Sequence, residues 1–146
     1  MTPYCSKHLT PPAAASFNTV SRLMAALPDL DLGLTPDGQP IVLSCHMVAR
    51  ALAKAAGLKY VDGHYGKVYA HSWLLSPDGK WIIDPYPVGT IGGPVLVDLA
   101  SGPYAPGRWL YNPSRKLGKE LPFSSAPFRR SVRRLVRALR KIESRS

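Results

Sequence analysis

Cys45, His71 and Asp84 follow one another in an order that acyl-transfer chemistry can use. A thiol attacks a carbonyl carbon only as the thiolate, so its ordinary pKa of roughly 8.5 must be lowered. An imidazolium beside the sulfur lowers it. A carboxylate on the far ring nitrogen fixes the tautomer and stabilises the charged ring. The three residue types thus fit nucleophile, general base and acid, and orienter. Each has a plainer reading alone: a small core cysteine, a half-buried strand histidine, an aspartate capping the turn at Pro85. The order and spacing of all three together favour the chemistry.

The local sequence predicts elements that can position them. Ser44 offers an N-cap hydroxyl, residues 45–56 are rich in Ala, Leu, Lys and Arg, and Gly57 is a C-terminal stop. Cys45 therefore stands in the first turn of a helix, where the partial positive charge and free N–H groups also favour a thiolate. Strands are predicted over 58–62, 68–75 and 80–84, the last two joined by Ser76-Pro77-Asp78-Gly79. Residues 63–66, with two glycines, read as the turn before them. If Ser76 pairs with Gly79, His71 lies directly opposite Asp84, with Cβ atoms about 4.5–5.5 Å apart. The same turn residues also suit a three-residue loop with Gly79 in a bulge. That one-residue slip sends His71 and Asp84 to opposite faces.

Ser44-Cys45 opening a helix, His71-Ser72-Trp73-Leu74 on a strand and Gly79-Lys80-Trp81…Asp84-Pro85 on the next resemble the transglutaminase-like branch of the papain-like cysteine protease superfamily. The resemblance covers 39–87. It implies a Cys45 nucleophile, a His71 base and acid, an Asp84 orienter, and amide chemistry through a thioester: peptidase, amidase, deamidase or acyl transfer. No cofactor is expected. Two features depart from the commoner pattern. Ser44 and His46 flank the nucleophile where Gly or Trp is usual, and His71 follows Cys45 by only 26 positions. The short interval favours a compact hydrolase over a large calcium-regulated cross-linker. No acidic cluster suits calcium.

Around this triad, the Cys45 N–H is one candidate oxyanion donor and the Gln39 amide, six residues upstream, a second. Gln39 also reads as a solvated turn residue. His64, between two glycines, and Trp73 are candidate substrate contacts, with an exposed loop and a core tryptophan as their plainer readings. Cys5, His8, His46 and His64 raise a metal alternative, but only Cys5-x-x-His8 approaches zinc spacing, and no metal site is expected.

The chain has 146 residues and is 45% hydrophobic, enough for one domain with its own core. No run of 18 apolar residues offers a membrane span, and residues 1–19 lack the charged and apolar regions of a secretory signal. Two cysteines are too few for a disulfide framework. Together these read as a cytoplasmic protein.

The net charge of +10 is concentrated at one end: residues 1–114 carry eight basic and seven acidic side chains, residues 115–146 eleven and two. From Phe128, the apolar residues Val132, Leu135, Val136, Leu139 and Ile142 recur at helical spacing. Arg129, Arg130, Arg133, Arg134, Arg137, Arg140 and Lys141 fill the other positions. Such a helix packs on the body with a solvated arginine face, lies on an anionic membrane, or holds nucleic acid or an acidic protein.

The fold expected is α+β: a papain-like core with the nucleophile helix on a small antiparallel sheet, plus a C-terminal basic amphipathic helix. An extended arm is expected over 1–15, the catalytic domain over 16–122, and the basic helical tail over 123–146. A first helix is expected from Ser16 to Leu27. Residues 85–122, with seven prolines and six glycines, read as loops and short edge strands, with strand-like pieces at 95–97 and 109–111.

Overall fold

The computed structural model describes residues 9–87, 93–99, 109–120 and 123–145. It is a mixed α+β fold. A five-stranded antiparallel sheet is formed by β1 (Lys59–Tyr65), β2 (Tyr69–Leu75), β3 (Trp81–Asp84), β4 (Val95–Asp98) and β5 (Tyr111–Pro113), in the order β4-β3-β2-β1-β5. The main helices are α1 (Pro11–Ala26), α2 (Cys45–Ala56) and α4 (Ala126–Ser144), with α3 (Arg115–Glu120) a short one. Among the described residues, no helix is long and apolar enough to cross a membrane.

Period-two alternation gives the sheet two buried faces. Leu74, Trp81, Ile83 and Leu96 join Phe17, Leu23, Val48, Leu52, Leu135 and Leu139 in a core shared with the helices. Trp73, Ile82, Val97 and Tyr111 form a second cluster on the other face. The apolar stripe of α4 lies in the first core, with Phe128, Leu135, Val136 and Leu139 buried. Ser131 Oγ ties this helix to the main chain at Leu32 O, 2.8 Å away.

Helix α2 forms as its sequence predicts. Ser44 caps it by accepting from Met47 N at 3.4 Å, and Gly57 ends it in the left-handed conformation at φ 68°. Four other expectations are corrected. Residues 11–15 belong to α1 rather than to an extended arm, because Pro11 and Pro12 occupy the first turn, where a missing N–H costs nothing. Gly63, His64 and Tyr65 continue β1 rather than turning. A Cβ on Gly63 would fall 2.2 Å from Asn112 O and 2.7 Å from Trp73, so this glycine answers a close approach and not a bend. Trp109 and Leu110 are helical, and the strand begins only at Tyr111. Within the proline-rich segment, Ser114 caps α3 by accepting from Leu117 N.

The β2–β3 hairpin adopts neither expected register. Leu74 pairs with Ile83 and Leu75 with Ile82, and Ser76 N donates to Trp81 O. The loop therefore has four residues, Pro77 to Lys80, with Gly79 at φ 72°. Relative to the two-residue turn this is a slip of two, which preserves the face. His71 and Asp84 thus share a face as diagonal neighbours rather than directly opposite ones.

Candidate active site

Diagonal neighbours on one sheet face lie about 7–8 Å apart at Cα, a gap that an imidazole and a carboxylate can span. His71 Nε2 meets Asp84 Oδ2 at 2.7 Å, and both side chains are fully buried. Asp84 takes two further donors, the Tyr111 hydroxyl on Oδ2 at 2.7 Å and Tyr86 N on Oδ1 at 3.2 Å. Three donors in a buried site keep the carboxylate fixed in place. Tyr65, Trp73 and Tyr111 surround the imidazole, with ring centroids 6.0, 6.0 and 6.3 Å from it.

With Nε2 committed to Asp84, Nδ1 is the nitrogen of His71 left for another partner. It is buried and lacks a formed hydrogen bond. The half-buried Cys45 thiol is nonetheless drawn down to about 6. Burial pushes it up, and the nearby imidazoles of His46 and His71 outweigh that. Burial likewise pushes His71 down, but Asp84 and the thiol outweigh it and raise the imidazole to about 9. Between those two values the pair rests as thiolate and imidazolium.

The N–H groups of Cys45 and His46 precede the first capped positions of α2, where Met47 N reaches Ser44 Oγ and Val48 N reaches Ser44 O. They are the donors that a helix start leaves for an oxyanion. Gln39 is exposed on the 35–39 turn, its main chain tied to Thr35, and among the described residues its amide bonds to neither Cys45 nor His71. His64 pairs with Ala70 and so faces the side of the sheet opposite to His71. Trp73, 1% exposed, lies beneath the imidazole. Cys5 and His8 fall outside the described residues, and among those described there is no group of three potential metal ligands.

Sequence reasoning missed a second polar line. His46 Nδ1 lies 2.7 Å from Ser72 Oγ, which donates to Asp62 Oδ1 at 2.6 Å. Asp62 in turn takes a two-pronged guanidinium from Arg50 at 2.9 and 2.7 Å. Arg50 also lies over the rings of Phe123 and Tyr60, at 4.0 and 4.4 Å. Its signal was Ser72, a second polar residue beside His71 in the buried part of the strand. Tyr111, the third partner of Asp84, carried no signal, since it comes from the far edge of the sheet. No family model matches the chain, and no curated protein or solved structure is significantly similar to it.

Proposed function

We propose that the protein is a cysteine-dependent hydrolase or acyltransferase acting on amide bonds, with a papain-like, transglutaminase-like arrangement of Cys45, His71 and Asp84. One observation carries this reading. A half-buried thiol drawn down to about 6 faces an imidazole that a buried carboxylate, 2.7 Å away, helps hold at about 9. A packing role would need none of these three groups. Helix α2 against an antiparallel sheet supports the family resemblance of 39–87.

The Cys45 thiolate attacks the amide carbon, and the carbonyl pair moves onto oxygen, facing the N–H groups at the start of α2. His71 Nδ1 gives its proton to the amide nitrogen as the C–N bond breaks. The amine leaves and a thioester remains on Cys45. Water then gives a proton to Nδ1 and attacks the thioester carbon. The C–S bond breaks, the acid leaves, and thiolate and imidazolium return. An amine in place of water completes an acyl transfer instead. Asp84 stays ionised throughout and holds His71 for both proton transfers.

The test is the pH dependence of iodoacetamide alkylation at the Cys45 peptide, read by mass spectrometry in the parent and in His71→Ala. Reaction well below pH 7, lost on removing His71, supports the reading. A thiol that titrates like free cysteine in both proteins overturns it.

A second reading, a binding module that contacts an anionic partner through α4, has an observation of its own. Lys54, Arg133, Arg137, Arg140 and Lys141 line an open cleft of about 500 Å³ between α2 and α4. Arg134 is instead tied to Asp31 O at 3.0 Å. Because the stripe of α4 is buried, this helix has no apolar face left to insert in a bilayer, which leaves purely electrostatic contact with nucleic acid, an acidic protein or an anionic membrane surface. Such binding weakens steeply with salt, and failure to be retained on a polyanion matrix at low salt would argue against it.

A further inference from the structure

The line from Arg50 through Asp62 and Ser72 ends on His46, the residue next to the nucleophile, and its protons run one way. Ser72 has one hydroxyl proton and gives it to Asp62. Its oxygen therefore accepts from His46, so Nδ1 of that ring carries the hydrogen and Nε2 is the nitrogen left to take a proton from the thiol.

The line is braced along its whole length. Asp62 and Ser72 are direct partners in the β1–β2 ladder. Phe123 covers the His46 ring at 4.8 Å and the Arg50 guanidinium at 4.0 Å. Gly118 on α3 has no Cβ where one would fall 2.7 Å from Asp62 Oδ2. Stability alone does not call for such a set, since apolar residues of similar volume commonly serve a core at least as well as a buried ion pair.

We propose that His46 is a second imidazole of the active site, oriented by Ser72, Asp62 and Arg50 to hold the Cys45 sulfur as a thiolate alongside His71. This rests on the reading of Cys45 as the nucleophile. The two lines divide the work by charge. Among the described residues Asp84 meets no cation but His71, so its charge acts on that ring. The charge of Asp62 is already matched by Arg50, so its line fixes the direction of the His46 ring. In keeping with this, His46 contributes to lowering the thiol both by hydrogen bonding and by charge. The titratable and charged groups along the two lines are then His46 and Arg50 on α2, Asp62 on β1, His71 on β2 and Asp84 on β3, with the phenols of Tyr60, Tyr65 and Tyr111 against them.

The test extends the alkylation profile to Ser72→Ala and His46→Ala in the full chain. Ser72→Ala cuts the ring from its carboxylate while leaving the Arg50–Asp62 pair in place, so it is the variant least prone to unfold. Circular dichroism and a thermal melt check both proteins. Each should move the Cys45 midpoint upward by about one unit. The His46→Ala/His71→Ala protein should titrate like a free thiol. The inference is overturned if both folded single variants keep the parent midpoint. In that case a shift in His71→Ala still upholds the triad. Conversely, a midpoint moved by His46→Ala and Ser72→Ala but not by His71→Ala sinks the triad and leaves His46 as the partner of the thiol.

Discussion

Tyr111 and Asp84 stand on strands separated by two others, yet the Tyr111 hydroxyl lies 2.7 Å from Asp84 Oδ2. Three strand spacings on a flat sheet are about 14 Å. The sheet is curled enough to bring its edge strand over its second strand, and His71 is enclosed between them. That closure builds a dry carboxylate–imidazole pair.

Tyr111→Phe leaves the ring packing intact and removes one donor from a fully buried carboxylate. The expected cost is about 1–3 kcal/mol, read as a thermal midpoint several degrees lower. An unchanged midpoint would show that the hydroxyl does not hold Asp84.

Activity should follow a bell in pH. The thiol is lowered from 9.0 to about 6, so as pH falls through about 6 the sulfur is protonated and kcat/KM drops. His71 is raised from 6.5 to about 9, so as pH rises through about 9 the acid for the leaving amine is lost. Alkylation of Cys45 has only the lower limb, because it needs no acid. A bell in alkylation, or a lower limb near 8.5, would contradict the assignment.

Gly63→Ala places a methyl group 2.2 Å from the Asn112 carbonyl, a backbone atom of β5. The strand must shift, at a cost of about 1–3 kcal/mol or more. Because β5 carries Tyr111, Cys45 alkylation near pH 6 should slow together with the loss of stability. Stability lost with an unchanged alkylation profile would separate β5 from the site.

Arg50→Ala leaves Asp62, whose side chain is 12% exposed, without its counter-ion. A buried carboxylate stranded in this way costs about 3–5 kcal/mol. Arg50→Lys should recover only part of that, since an ammonium cannot reproduce the two-pronged contact or its seat against Phe123 and Tyr60. Equal stability of the two variants, measured by urea denaturation, would rule out a geometric role for the guanidinium.

Local signals were the legible ones. Ser44 and Gly57 bound α2 because cap and stop act through their own backbone neighbourhood, and the stripe from Phe128 marked the buried face of α4. Register was harder. Pro77-Asp78-Gly79 suits loops of two, three or four residues, and the choice of four rests on Ser76 closing against Trp81, a pairing no local rule selects. Gly63 looked like a turn because a glycine kept for a close approach cannot be told from one kept for a bend until Asn112 is in place. The proline-rich stretch hid α3, whose Ser114 cap reads clearly only once Gly118 is seen against Asp62. Tyr111 and Asp62 reach the two histidines through the sheet, at separations that periodicity does not register.

The order of these residues along the chain also sets a schedule for synthesis. Cys45 leaves the ribosome before Tyr111, and at about 5–20 residues per second the wait is several seconds. Phe123, which covers His46 and Arg50, follows later still, and the α4 residues Leu135 and Leu139 after that. Until then Asp84 lacks its third donor and the core beneath α2 is open. If Cys45 is the nucleophile, its thiol in a nascent chain should stay close to an ordinary cysteine until the last helix has emerged and packed.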